Sequence, residues 1–226
     1  KRINQEEDGT AAYQIEINED LFRVYLDSLK PGLRVEPVNA RFIFNDDSKE
    51  LEVIEPAVIG RELDVDASIA AINDTLISGN HAVNLAFESL TPEVTDEMTG
   101  EELGIVELVE ERTTYFYGSD AARIQNIKTA AAEFHGLLVP PGATFSMADA
   151  LGNISLENGY AEALIIYGGQ TIQGVGGGVC QVSTTLFRTA FFAGFPIVER
   201  HPHAYRVGYY EMEYGGSRDS NWAGFD

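Results

Sequence analysis

The chain has 226 residues, 44% hydrophobic and 10% aromatic, which supplies folded cores and suits two domains of roughly 100 residues better than one large one. Its formal net charge of −21 argues against nucleic-acid partners and against anionic membrane surfaces, and at its plainest serves solubility. The single cysteine, Cys180, excludes an internal disulfide framework, and no apolar run is long enough for a membrane-spanning helix.

Residues 1–11 read as a polar lead-in. The opening KRINQEEDGT has no secretory pattern and reads as a cut point, which leaves room for a signal or anchor upstream. Tyr13 to Ile17 alternates apolar and polar, as a half-buried strand does. Asn18 to Asp20 offer caps for a helix with the stripe Leu21, Val24, Tyr25 and Leu29, stopped by Pro31-Gly32. Arg41–Phe44 and Leu51–Ile54 read as strands of a hairpin around the turn Asn45 to Ser48. Val65 to Ile77 reads as a second helix ending near Gly79, and His81 to Phe87 as a further strand. The order β-α-β-β-α-β predicts a small sheet with both helices on one face, spanning 12–92. Nothing catalytic stands out in that half.

Residues 93–111 read as a linker and 112–226 as a second domain. Val106 to Tyr117 is strand-like. Ser119 is positioned to cap a helix whose stripe is Ile124, Ile127, Ala131 and Phe134. Pro140-Pro141-Gly142 makes a rigid turn, and Gly168-Gly169 and Gly174 punctuate short strands around Ile165 and Ile172. The predicted fold class is α+β throughout, two domains in tandem. In the second, the helix that carries the cysteine packs on antiparallel strands.

The most informative stretch runs from Gly174 through Gly176-Gly177-Gly178-Val179-Cys180-Gln181-Val182-Ser183-Thr184-Thr185-Leu186. A glycine run gives way to an apolar helix, which places Cys180 in its first turn. Unpaired backbone N–H groups there favour an anion, so the thiol is expected to have a lowered pKa and to act as a nucleophile. The glycines let a substrate backbone come close and supply donors for an oxyanion. The competing reading is a buried cysteine that packs as a small hydrophobe, with the glycines forming only a tight turn.

A nucleophilic cysteine needs a base, and Glu199-Arg200-His201-Pro202-His203 supplies candidates. His203 opens a predicted strand, and Asp226 is the candidate acid to orient it. This order of cysteine helix, histidine strand and acid strand is that of papain-like and transglutaminase-like enzymes, whose diagnostic signatures are absent. His203 also reads as an ordinary hydrogen-bonded histidine, and Asp226 as a frayed last residue. A third option sets His201 and His203 on one strand face with Cys180 as a metal ligand, but Pro202 argues against a regular strand there. No phosphate-binding glycine loop is present. No metal or cofactor is expected.

Several pieces together resemble the VanW domain family, first named from vancomycin-resistance gene clusters. They are Arg123 with Asn126-Ile127, Pro141 to Ser146, Gly159-Tyr160-x-x-Ala163, the glycine–cysteine block Gly176 to Leu186, Glu199-Arg200-x-x-His203 and the closing Gly224-Phe225-Asp226. The resemblance covers Arg112 to Asp226. The first half resembles, more by order than by motif, the peptidoglycan-binding domain often found ahead of VanW domains. Two departures stand out. Ala204 replaces a small hydroxyl residue common after the histidine, and the family continues past Asp226. The resemblance implies a bacterial, extracytoplasmic protein of the cell envelope whose partner is peptidoglycan or a muropeptide. It singles out His203 over His201.

Two functions follow as expectations. In one, Cys180, His203 and Asp226 cleave or transfer peptide or amide bonds, Gln181 or the Cys180 backbone N–H assists an oxyanion, and Arg123 or Arg200 binds a stem-peptide carboxylate. In the other, the module only binds the wall. Asn126, Ser146, Gly177, Gly178, Ser183 and Thr184 then belong, with Arg123, Gln181 and Arg200, to a ligand groove or a buried network.

Overall fold

The protein is described by a computed structural model covering residues 2–5, 11–14, 17–78 and 82–226. It divides into two compact units, one of residues 1–41 and 53–99 and one of residues 42–52 and 100–226. Both are α+β.

In the first unit, β1 (Arg2–Gln5) and β2 (Ala11–Gln14) form an antiparallel pair with Arg2 opposite Gln14. Tyr13 and Gln14 therefore lie in a strand, while Ile15 and Glu16 of the expected strand fall outside the described residues. α1 (Glu19–Leu33) starts where Asn18 Oδ1 accepts the Leu21 N–H at 3.1 Å. Its buried face is Phe22, Leu26, Leu29 and Leu33, which pack with Leu63, Val65 and Ile69. The expected stripe is out of phase: Leu21, Val24 and Tyr25 are 71%, 70% and 56% exposed. Two apolar sets compete on this helix, and the spacing i, i+4, i+7, i+11 wins because it meets Leu63, Val65 and Ile69. Pro31 does not stop the helix either. It removes one bond, to the Asp27 carbonyl, and the last turn is closed by Arg34 N–H on the Lys30 carbonyl at 2.9 Å.

β3 (Arg41–Asn45) pairs with β4 (Glu50–Glu55). The Asn45 side chain accepts the N–H groups of Asp47 and Ser48, and Lys49 takes the left-handed conformation at φ 60°. β5 (Gly60–Leu63) leads into α2 (Val65–Ile77), capped by Asp64, and β6 (Phe87–Leu90) returns antiparallel to β5. The expected β-α-β-β-α-β sheet is therefore corrected. Among the described residues the strands form separate two-stranded ladders, and β5 is an additional strand that four residues, GREL, do not advertise. Of the expected strand His81 to Phe87, His81 lies outside the described residues, 82–86 are irregular, and the strand begins at Phe87.

In the second unit, α3 (Gly100–Leu103) is a single turn, and the expected strand Val106 to Tyr117 is irregular chain. α4 (Ala121–Phe134) is capped by Asp120, whose Oδ1 accepts the Arg123 N–H at 2.8 Å, rather than by Ser119. Asn126, Ile127 and Ala130 form its buried face, and Ala131 is exposed. α5 (Met147–Leu151) follows. β7 (Glu162–Tyr167) and β8 (Gln170–Val175) make an antiparallel hairpin whose turn, Gly168-Gly169, has both φ values positive, 58° and 76°. α6 (Val179–Phe192) then packs on α4, and α4 on β7, around Ala130, Tyr160 and Val179. The cysteine helix thus has a helix as its main partner. Beyond it, residues 193–226 hold no strand longer than a single bridge, so neither His203 nor Asp226 sits on the expected strands. Among the described residues no helix is long and apolar enough to cross a membrane.

Candidate active site

The start of α6 is set by three glycines, two of which, Gly176 and Gly177, leave no room for a Cβ. A Cβ on Gly177 would lie 2.4 Å from the Leu164 carbonyl oxygen. Gly178, the N-cap, has φ 113°, a conformation that L side chains rarely adopt. The turn is held from below by Asn126, which is fully buried. Its Nδ2 donates to the carbonyls of Ala161 and Gly177, both at 2.9 Å, and its Oδ1 accepts the Ala161 N–H at 2.7 Å. One side-chain amide thereby joins α4, the approach to β7 and the glycine turn.

Cys180 is the second residue of α6 and is open to solvent. The expected lowering of its thiol pKa does not hold on balance. Surrounding protein pushes the thiol up, and its own backbone N–H and the Arg123 guanidinium only partly offset this. Near it, Tyr210 is buried, and its phenol is pushed far above the ordinary range, first by burial and then by Tyr209 and Cys180. The Tyr210 ring lies 5.3 Å from the His203 ring and 4.8 Å, edge-on, from Tyr209. Tyr210 therefore packs on His203, and its phenol also feels the charge of the Cys180 thiolate. Among the described residues no hydrogen bond joins the thiol to the imidazole directly.

His203 Nδ1 and Asp226 Oδ2 are 2.9 Å apart, with both side chains 12% exposed. A carboxylate accepts, so Nδ1–H is the donor in this contact, and in the neutral ring that tautomer makes Nε2 the nitrogen able to accept a proton. His201 is turned away: its Nε2 meets Glu199 Oε1 at 2.7 Å on the surface. The His-x-His pair is thus split between two acids. Among the described residues no three His, Cys, Asp or Glu side chains gather to hold a metal.

The other expected contacts are redistributed. Gln181 is 1% exposed and committed on both ends. Its Nε2 donates to the Tyr115 carbonyl at 2.9 Å and to Thr114 Oγ1 at 3.2 Å, and its Oε1 accepts from Arg123 Nη2 at 2.6 Å. One position past Cys180 on a helix turns the side chain inward, where its amide joins α6 to residues 114–115 and to Arg123. Arg123 also donates from Nη1 to Ser119 Oγ at 2.7 Å and lies 4.9 Å over the Tyr209 ring, which commits both terminal nitrogens. Arg200 donates from Nη2 to the carbonyls of Gly224 and Asp226. Thr184 is buried and Ser183 half-buried on α6. Ser146 caps α5, accepting the Asp149 N–H, beside a surface groove lined by Leu138, Val139 and Phe145.

Sequence reasoning passed over Tyr209, Tyr210 and Arg188. Arg188 is 3% exposed, lies 4.8 Å over the Trp222 ring, and donates from Nε to the Phe225 carbonyl at 2.9 Å. Its signal was available, since it is the only charged residue in α6.

With this geometry in place, residues 122–223 match the family described as "VanW like protein". That match covers a little under half of the chain. Residues 1–85 match a second family, described as "Putative peptidoglycan binding domain". The VanW-like domain holds the glycine turn, Cys180 and His203, while Asp226 lies just beyond its matched span. Among curated proteins, the chain is 39% identical over 113 residues to the uncharacterized protein YoaR of Bacillus subtilis, which is 50% of this chain and 37% of that protein. It is 32% identical over 81 residues to the vancomycin B-type resistance protein VanW of Enterococcus faecalis, which is 36% of this chain and 30% of that protein. The matched stretches thus span about a third of these relatives' own length. No solved structure matches the chain significantly.

Proposed function

We propose that this is an extracytoplasmic protein of the bacterial cell envelope that engages peptidoglycan, and that its VanW-like domain performs cysteine-dependent acyl transfer on peptide or amide bonds of the wall. The wall association is supported by the two matched families. The chemistry rests on one observation: a sheltered His203–Asp226 pair, packed on Tyr210, in the same compact unit as a solvent-open cysteine at a helix start.

In this reading His203 Nε2 takes the Cys180 proton as Sγ bonds to the substrate carbonyl carbon. The imidazolium, steadied by Asp226, passes that proton to the leaving amine, and a thioester forms. Water or a second amine then releases the acyl group and restores the thiol. The Cys180 backbone N–H, next to its own sulfur, is the candidate oxyanion donor. The Cys180 helix, His203 and Asp226 follow one another as in papain-like enzymes, without their strands.

The test is incubation of purified muropeptides with the wild-type chain and with Cys180→Ala, followed by mass spectrometry. The reading expects an amide-cleaved or acyl-transferred product from the wild type alone, with wall binding retained in the variant. Identical muropeptide profiles would favour a second reading, a non-catalytic wall-binding module. The raised thiol pKa is the observation that favours it.

A further inference from the structure

Residues 224–226 lie in no helix or strand, so no ladder fixes the backbone that carries the Asp226 carboxylate. Their three consecutive carbonyls nevertheless all receive guanidinium donors. Arg200 Nη2 donates to Gly224 at 2.7 Å and to Asp226 at 2.6 Å, and Arg188 Nε donates to Phe225 at 2.9 Å. Each guanidinium is itself held over a ring, Arg200 at 4.5 Å from Phe187 and Arg188 at 4.8 Å from Trp222. Phe225 fills the space between them, 5.6 Å from Phe191 and 5.7 Å from Phe192.

Packing alone gives a poor account of Arg188. Its Nη2 is buried without a hydrogen-bond partner among the described residues, and burial lowers its affinity for a proton. A Leu or Met in this aromatic nest would avoid that desolvation cost. What the arginine adds is a permanent positive charge felt by Asp226, with Glu213, Glu211 and Tyr210 further contributors. It therefore holds the backbone of the segment that faces His203.

We propose that Arg188 and Arg200 are positioning residues, which latch residues 224–226 onto α6 and so hold the Asp226 carboxylate on His203 Nδ1. The latch deepens the reading of Cys180, His203 and Asp226 as one reacting group. α6 then carries the thiol on its first turn and, from Arg188, the anchor of the acid that orients the base.

The tautomer of His203 reports the latch without any substrate. Long-range proton–nitrogen correlation spectra of the full chain are recorded at neutral pH, with His203→Gln to assign the signal. The wild type is expected to carry the proton on Nδ1. Arg200→Gln and Arg188→Gln are expected to shift it to the Nε2–H form, as Asp226→Ala does, and Arg200→Lys to restore much of the Nδ1–H form. Should Arg188→Gln fail to fold, Arg200→Gln at its exposed position carries the test. A folded Arg200→Gln that keeps the wild-type tautomer overturns the latch, and so does an Arg200→Gln that unfolds, because the residue is then structural. A wild type already in the Nε2–H form defeats the His203–Asp226 pair itself. Absence of wall chemistry with a normal tautomer response defeats only the catalytic reading.

Discussion

The two stretches that build the site are made in opposite ways. The junction of α4, the glycine turn and α6 is held from inside, by side-chain amides whose donors and acceptors are spent on backbone. The stretch 200–226 has almost no regular structure and is held from one side by arginines and rings. The first arrangement resists substitution because every alternative leaves a collision or an unpaired buried group. The second tolerates loss of a contact in stability but not in geometry. The nucleophile candidate therefore sits on the stiff part and its acid on the adjustable part.

The sharpest way to break this contrast is at the turn. Gly177→Ala forces a Cβ against the Leu164 carbonyl and is expected to cost about 3 kcal/mol, lowering the melting midpoint of this unit by about 10 °C in calorimetry. A change of a degree or two would mean that the turn is far softer than its contacts say. Next comes Asn126→Ala, which strands the Ala161 N–H and the Gly177 carbonyl, leaves the Ala161 carbonyl to Gly176 N–H alone, and is expected to cost roughly 2–3 kcal/mol by urea titration. A smaller effect is expected from Phe225→Ala in the one-sided stretch. Its ring is half-buried, so the loss is about 1 kcal/mol, while trypsin cuts faster at Arg218. A drop as large as that of Asn126→Ala would make the two stretches alike.

The smallest effect concerns Cys180. Burial disfavours the thiolate, so its alkylation rate by iodoacetamide should rise with a midpoint above the ordinary thiol pKa of about 8.5. Arg123→Gln removes a charge that favours the thiolate and should move the midpoint further up. A midpoint below neutral would show that the helix start outweighs burial.

Much of the local structure was legible because local chemistry determines it. The Asn45 turn, the Gly168-Gly169 hairpin and the α6 start are each written in residues whose side chains or φ angles leave few choices. The phase of α1 was not legible, because Leu21 and Val24 are as apolar as Phe22 and Leu26, and only the partners Leu63 and Val65 decide between them. Val106 to Tyr117 has strand composition but no strand to pair with, and Thr114 and Tyr115 give their polar groups to Gln181 instead. In the candidate site, the glycine–cysteine block and His203 stood out as motif. The partners of Gln181 and Arg200 were not legible, because a polar residue in a motif looks the same whether it faces a ligand or its own backbone. Only the hydrogen-bond partners tell these apart.

The solvent-open Cys180 has a practical consequence. These 226 residues offer it no second thiol, so any disulfide it forms must cross to another molecule. Protein handled in air should accumulate a covalent dimer, visible on a non-reducing gel and abolished by dithiothreitol or by Cys180→Ser. The fraction that dimerises would serve as a gauge of how freely the sulfur can be reached by something as large as a second copy of the chain.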